Sequence, residues 1–310
     1  MSVACIGECM VEFVASRRHP GMFERGFAGD TLNTCLYLAR LLKPAGHRIC
    51  YVTRLGDDPL SAAMTTAWEA EGIDCSLVAR IAGRVPGLYL VDVRPDGERS
   101  FTYWRGQSPV RDLFREPEPA LERELGDFRL LFVTGVTLAV LSPAGRRRLL
   151  DLLLAARHRG AAIAYDTNHR PRLWEDAATA RDWNLQAMAA ATILLPSRED
   201  LDVIFDDRRT TAAWLAELAS SYAREIVVKD AGAPAHGRTG DELVAVAPAA
   251  VEPVDTTAGG DSFNAAYLAA RLAGNDIRGS IEKAHALAGI VIRHPGAIIP
   301  AAAMMELGRS

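Results

Sequence analysis

The sequence is short of several things, and each absence removes a class of protein. Its 310 residues carry 35 Lys and Arg against 39 Asp and Glu, a formal charge of −4. No strongly basic surface is implied, which argues against a nucleic acid or an anionic membrane as partner. No apolar run reaches the length of a membrane span. Glu8 and Glu12 interrupt the first apolar stretch, so the N-terminal region does not read as a signal peptide. Cysteine is absent beyond Cys75; Cys5, Cys9, Cys35, Cys50 and Cys75 are odd in number and crowd the first quarter. Cys5 and Cys9 have no second Cys/His pair to complete a zinc pattern. The thiols read as reduced and mostly buried, in a cytoplasmic protein. No internal repeat or low-complexity tract stands out. No G-x-G-x-x-G follows the first strand, where Gly7-Glu8-Cys9-Met10 stands instead, so a nicotinamide-dependent oxidoreductase has little support.

What is present is an ordinary globular composition, 49% apolar and 24% charged, with alternating strand and helix signals. Short apolar runs at Ser2 to Gly7, Ile49 to Thr53, Leu130 to Thr134, Ala161 to Tyr165, Thr192 to Leu195 and Glu225 to Lys229 predict strands. Between them lie helical patterns. One opens after Phe27-Ala28-Gly29-Asp30-Thr31, capped by Asp30 or Thr31, with Leu32, Cys35, Leu36 and Ala39 as its apolar face and Asn33 in its first turn. Another is capped by Asp58 with Pro59 at its first position, buries Leu60, Ala63, Met64 and Ala67, and ends at Gly72. A third opens at Ser142-Pro143 and closes at Gly160. A fourth carries Leu215, Leu218, Ala219 and Tyr222. The segment Asp230 to Gly240 reads as a loop, and Pro109 to Asp127 as a surface connection.

From Val85 to Arg105 the period changes to two. Tyr89, Val91 and Val93 share one strand face, Phe101, Tyr103 and Arg105 another, with Pro95-Asp96-Gly97 as the turn between them. The hairpin is either an ordinary half-buried one or a flap over a site; tyrosine and arginine on one face suit a polyhydroxylated, anionic ligand. The alternation as a whole predicts a single α/β domain, residues 1–310, with a doubly wound, mostly parallel sheet. In such sheets ligands sit beyond the carboxyl ends of the strands. Glu8, Asp166, Asn168, Arg170, Ser197 and Lys229 all fall at such ends.

So does Asp255-Thr256-Thr257-Ala258-Gly259-Gly260-Asp261-Ser262-Phe263. An apolar approach precedes it and an alanine-rich helix follows, with Phe263, Ala266, Tyr267 and Ala270 at helical spacing. Free backbone N–H groups and the helix dipole make this turn favourable for an anion. Asp261 there is either an acid that meets a phosphate-bearing reactant or simply a helix cap.

These stretches resemble the ribokinase-like (PfkB-type) carbohydrate kinases over essentially the whole chain. Asp255 to Asp261 is similar to that family's Asp-Thr-x-Gly-Ala-Gly-Asp signature, with Ala258 at the first small position. Gly29-Asp30-x-x-Asn33 is similar to its Gly-Gly-x-x-x-Asn signature, with Ala28 replacing the first Gly. Within the family, Gly7 to Met10, Gly26 to Thr34, Pro86 to Tyr89, Tyr103 to Arg105, Asn168 to Trp174 and Gly296 to Pro300 resemble members that act on 2-keto-3-deoxygluconate. The resemblance implies a three-layer α/β/α body with a small β lid, formed mainly by about 11–28 and 85–106. It implies ATP- and Mg²⁺-dependent phosphorylation of a sugar acid's terminal hydroxyl. Asp261 would be the base and Ala258, Gly259 and Gly260 an anion hole of N–H groups. Gly29, Asp30, Asn33, Tyr89, Tyr103, Arg105 and Arg170 would face the sugar acid. Asn168, Arg170, Ser197, Lys229 and Gly232 would lie along the nucleotide. Asp200 would face magnesium through water, and Asp255 and Thr257 a potassium ion. Where the family has Asn-x-x-Glu this chain has Ser197-Arg198-Glu199-Asp200, and where the nucleotide loop reads Lys-Arg-Gly-Ala it has Lys229-Asp230-Ala231-Gly232. Another sugar kinase of the same fold, such as a fructokinase, and a non-catalytic sugar-binding module are the alternatives. A homo-oligomer paired through its lids is the expected assembly, because an open hairpin edge is a liability in a monomer.

Overall fold

The structure, a computed structural model, describes residues 1–16, 19, 21–93, 99–221 and 223–308. The expected turn Pro95-Asp96-Gly97 and the expected helix residue Tyr222 lie outside the described residues. The chain begins with β1 (Ser2–Ile6), β2 (Met10–Ala15) and β3 (Phe23–Ala28), followed by α1 (Asp30–Leu42). Then come β4 (Arg48–Gly56), α2 (Pro59–Ala70), β5 (Val78–Ile81), β6 (Leu88–Val93) and β7 (Arg99–Trp104). The middle holds α3 (Pro119–Leu125), β8 (Leu130–Thr134), α4 (Gly135–Val140), α5 (Pro143–His158), β9 (Ala162–Asp166), α6 (Ala177–Ala190) and β10 (Ile193–Leu194). The remainder is α7 (Arg198–Phe205), α8 (Thr211–Ser221), β11 (Glu225–Val228), β12 (Ala235–Thr239), β13 (Glu242–Val246), α9 (Gly259–Leu272) and α10 (Ile277–Val291).

Nine strands form one sheet in the order β13-β12-β11-β10-β9-β8-β1-β4-β5. The seven from β11 to β5 are parallel, and β12 and β13 add an antiparallel edge. The parallel strands are buried on both faces, which is why they read as unbroken apolar runs. In β1, Val3 and Cys5 enter the core under α1, α9 and α10, while Ala4 and Ile6 enter the core under α4, α5, α6 and α8. Chain order reverses between β1 and β8, and a crevice opens at such a reversal beyond the carboxyl ends of the strands.

At that crevice the chain leaves β1 through Gly7 and builds a second sheet, β3-β2-β6-β7, the lid. Here β2 pairs β6 in parallel, and the other pairs are antiparallel. Tyr89 faces Tyr103 and Val91 faces Phe101 across β6 and β7.

The helix expected at Asp58 is built as its sequence suggests: the Asp58 side chain accepts from the N–H groups of Leu60 and Ser61. Its buried stripe is Ser61, Met64 and Trp68, however, while Ala67 is exposed. The expected loop from Asp230 to Gly240 contains β12, which pairs β11 and β13. Pro109 to Asp127 is more than a surface connection, because Val110, Leu113, Phe114 and Leu125 are fully buried in the second core.

Candidate active site

Two helix N-termini meet at the crevice. α9 begins at Gly259 after Ala258, which sits in the left-handed region (φ 58°) and makes no side-chain cap. The Gly259 N–H, expected in the anion hole, donates instead to the Thr256 carbonyl at 3.2 Å; among the described residues the N–H groups of Gly260 and Asp261 are the ones left for an anion. Asp261, in this first turn, does not cap the helix. Its Oδ2 accepts from Asn33 Nδ2 at 2.8 Å, and its backbone oxygen accepts from Thr34 Oγ1 at 3.2 Å. Asn33 and Thr34 lie in the first turns of α1, which packs against α9. The N-cap of α1 is Gly29, not Asp30 or Thr31. Glycine is needed there for space: a Cβ would stand 2.2 Å from the Glu8 carbonyl oxygen. Asp30 is turned elsewhere, its Oδ2 accepting from Thr134 Oγ1 (2.6 Å) and Asn168 Nδ2 (2.7 Å). Thr31 Oγ1 pairs with the Tyr51 hydroxyl.

Beneath this turn runs a buried polar network. Lys229, just past β11, donates to Asp166 Oδ2 (3.0 Å) and Asn264 Oδ1 (2.9 Å), and Asn264 Nδ2 donates to Asp166 Oδ2 (2.6 Å). A Cβ placed on Gly260 would lie 4.0 Å from the Lys229 ammonium, so a positive charge backs the free N–H groups. Asn264 was not legible as polar site material, because it stands in an apolar helix pattern. Its spacing of three from Asp261 puts it on the same face one turn on. Asp200 Oδ2 accepts from Thr167 Oγ1. Ser197 caps α7, its hydroxyl accepting from the Asp200 N–H. Arg170 is exposed; its Nη1 donates to the neighbouring His169 carbonyl, and among the described residues no carboxylate pairs with it. Gly232 (φ 71°) lies in the turn between β11 and β12. Asp255 is buried and ties two loops together: Oδ1 accepts from Thr257 N–H and Oγ1, and Oδ2 from the Gly296 N–H.

From the lid, Arg105 does not stand as an unengaged cation. Its Nη2 donates to Glu8 Oε2 on the body. Glu8 is buried and Arg105 mostly so, and the Ser108 side chain also bears on Glu8, yet among the described residues Glu8 Oε1 and Arg105 Nε have no hydrogen-bond partner. Of the two guanidiniums that suit an anionic ligand, Arg105 thus has a carboxylate already, and a neutral ligand would leave Arg170 without one. Tyr89 is buried with its hydroxyl donated to Glu12 Oε1 at 2.6 Å. Tyr103 is half exposed, its ring 5.7 Å from that of Tyr89.

The site is crowded with carboxylates, and this shows in their protonation. Burial, reinforced by Asp30 and Asp166, pushes the Asp261 carboxyl up to about 7, against the opposing Asn33 hydrogen bond and Lys229. The low-dielectric, negative surroundings lift it well above an ordinary aspartate's value near 4. Burial and then Asp166 raise Asp200. Burial raises Glu8 even though Arg105 opposes it. Among the described residues no group of three or more His, Cys, Asp or Glu is arranged to hold a metal by itself, and no helix is long and apolar enough to cross a membrane.

A buried carboxyl raised toward neutrality, free N–H groups backed by an ammonium, and a neighbouring sheet with aromatic side chains can bring an alcohol and a phosphate together. Known proteins resemble the chain over its whole length. The chain is 39% identical over 308 residues to the 2-dehydro-3-deoxygluconokinase of Escherichia coli (strain K12), covering 97% of this chain and 98% of that one. The crystal structure of 2-dehydro-3-deoxygluconokinase from Thermotoga maritima superposes with a TM-score of 0.84 at 21% identity, over 100% of this chain and 98% of that one. Fructokinase with bound ATP from Xylella fastidiosa gives a TM-score of 0.83 at 20% identity, over 99% and 98%. The profile of the pfkB family carbohydrate kinases matches residues 1–304, and the chain belongs to that family.

Proposed function

We propose that the protein transfers the terminal phosphoryl group of ATP to the terminal (6-)hydroxyl of 2-keto-3-deoxygluconate, with Asp261 as the base. The observation that carries the reading is Asp261 held at the N-terminus of α9, beside free N–H groups and above Lys229. The full-length likeness to a 2-dehydro-3-deoxygluconokinase supports the substrate.

In this reading the sugar's hydroxyl proton passes to Asp261 as its oxygen bonds the terminal phosphorus. The bond from that phosphorus to the bridging oxygen breaks, and ADP leaves. Phosphoryl transfer asks mainly for positioning and charge stabilisation. The N–H groups at Gly260 and Asp261 serve the equatorial phosphoryl oxygens, and removing one such donor in other enzymes costs roughly 3 kcal/mol. A base near neutrality is well matched to its task at physiological pH. Bound Mg²⁺ would neutralise phosphate charge. Asp200 and Asp166, two carboxylates close enough for one to raise the other, fit a nearby cation. Ser197, Asn168, Gly232 and Lys229 border the nucleotide in this reading, and Asp255 with Thr257 a monovalent cation. Gly29, Tyr89, Tyr103 and Arg170 receive the sugar acid, Arg170 being the guanidinium with no carboxylate partner of its own. Closure of the lid over the sugar would exclude water, which otherwise competes for the phosphoryl group. The half-exposed Phe23, Phe101, Tyr103 and Trp104 on the lid suit pairing with the lid of a second copy. The buried thiols suit a reducing, cytoplasmic setting.

One observation favours a neutral sugar such as fructose: Glu8 already occupies Arg105. ADP release measured with 2-keto-3-deoxygluconate, with fructose and with neither separates the readings. Turnover on the keto-deoxy acid is expected. Preference for fructose would replace the substrate, and no ADP with either would leave a sugar-binding module.

A further inference from the structure

Asn33 comes into view as more than a neighbour of the sugar. It is buried, and both ends of its amide are engaged. Oδ1 accepts from the Gly29 N–H at 3.4 Å, and Nδ2 donates to Asp261 Oδ2 at 2.8 Å. The first contact orients the amide, because only Nδ2 can donate and only Oδ1 can accept. Thr34, the next residue, holds the Asp261 backbone oxygen. The start of α1 thus clamps Asp261 at main chain and side chain together. Helix-to-helix packing turns this into a fixed geometry, since α1 and α9 share one core through Leu32, Leu36, Phe263 and Tyr267.

We propose that Asn33 is a positioning residue for the transfer: it occupies Asp261 Oδ2, so that Oδ1 is the oxygen presented to the sugar's hydroxyl. This rests on the base role given to Asp261 above. The bond has a second effect, because a donor to a carboxylate favours its charged form. The groups that face Asp261 are Asp30 from α1, Asp166 from β9 and Lys229 from the end of β11. Of these, the two carboxylates work against ionisation and the ammonium works for it. Asn33 stands with Lys229 in keeping the base deprotonated, and it is the one that touches it.

The test is kcat/KM for 2-keto-3-deoxygluconate from pH 5.5 to 9 at saturating ATP and Mg²⁺, for the full chain carrying Asn33→Leu, Asn33→Ser or Asp261→Asn. Both Asn33 variants are expected to lose about 100-fold at pH 7, the low end for a general base. Their acidic limb should move up by about one pH unit, the scale of a hydrogen bond to a charged group. The KM for ATP should stay unchanged. Asn33→Ser, smaller and polar, keeps the test alive if Asn33→Leu fails to fold. A limb that stays in place, with only the KM for the sugar acid raised, overturns the proposal and makes Asn33 a sugar ligand alone. An active Asp261→Asn would instead overturn the base role itself, so the two failures can be told apart.

Discussion

The body and the lid each bring a buried ion pair to the crevice, and the two are built differently. On the body, Lys229 and Asp166 are completed by Asn264, and the other oxygen of Asp166 accepts from the Asn168 N–H. At the lid, Glu8 and Arg105 meet through one hydrogen bond, and among the described residues Glu8 Oε1 and Arg105 Nε are left without partners. A buried polar atom in that state costs about 1–3 kcal/mol. A satisfied network favours one arrangement. An unsatisfied one gives a rearrangement something to gain. The body is therefore the rigid half of the site, where charge is laid out in advance, and the lid is the half that has reason to move when a ligand arrives.

That contrast can be broken by experiment, since body variants should act on the chemical step and lid variants on sugar binding. The largest effect belongs to Asp261→Ala: steady-state kinetics should show kcat down by about 10³-fold with little change in the KM for the sugar acid. A loss confined to KM would erase the distinction. Next is Lys229→Met, which strands Asp166 as a buried, unpaired carboxylate. Denaturant unfolding should show a loss of about 3–5 kcal/mol, and an unaltered midpoint would mean the body pair is no tighter than the lid's. Arg105→Ala leaves the Glu8 carboxylate uncompensated beside the sugar's place and should raise the KM for the sugar acid by about 30-fold or more while leaving that for ATP alone. Equal changes in both would make Arg105 structural. The smallest effect concerns pH. Burial lifts the Asp261 carboxyl from an ordinary aspartate value near 4 up to about 7, so its protonated form favours folding below about 4, and that advantage disappears as pH rises through 7. Asp261→Asn, neutral throughout, should therefore melt a few degrees above the parent at pH 8.5 and level with it at pH 4. A gain of equal size at both values would assign the effect to packing.

Much of this was legible in the sequence because the parallel strands are buried on both faces and their ends carry the polar residues. Runs such as Leu130 to Thr134 have no polar alternative to confuse them, and Asp58-Pro59 states its own helix start. What escaped has physical causes. β12 was hidden by Gly232, Pro234, Gly237 and Gly240, residues that signal turns; Gly237 is a glycine because Ile277 and Ile281 press against that strand. The cap of α1 was misassigned because Asp30 is a good capping residue locally, but Thr134 and Asn168 claim it from distant parts of the chain. Glu8 as the partner of Arg105 could not be seen, since 97 residues separate them. The lowered acidity of Asp261 needed the positions of Asp30 and Asp166, which no local pattern supplies.

The contact between Asn33 and Asp261 also spans 228 residues, which sets the order in which the protein can become active. While a ribosome is still making the chain, β1, β4 and β8 to β11 can pair and α1 can pack on β1, β4 and β8, but the side of α1 that meets α9 has no cover. That side stays bare until α9 emerges, a window in which aggregation competes with folding. The segment that seals this surface is the one that carries Asp261. With Asp261 as the proposed base, an unfinished chain would have no catalyst, and the first moment at which it could consume ATP is the moment at which its core is closed.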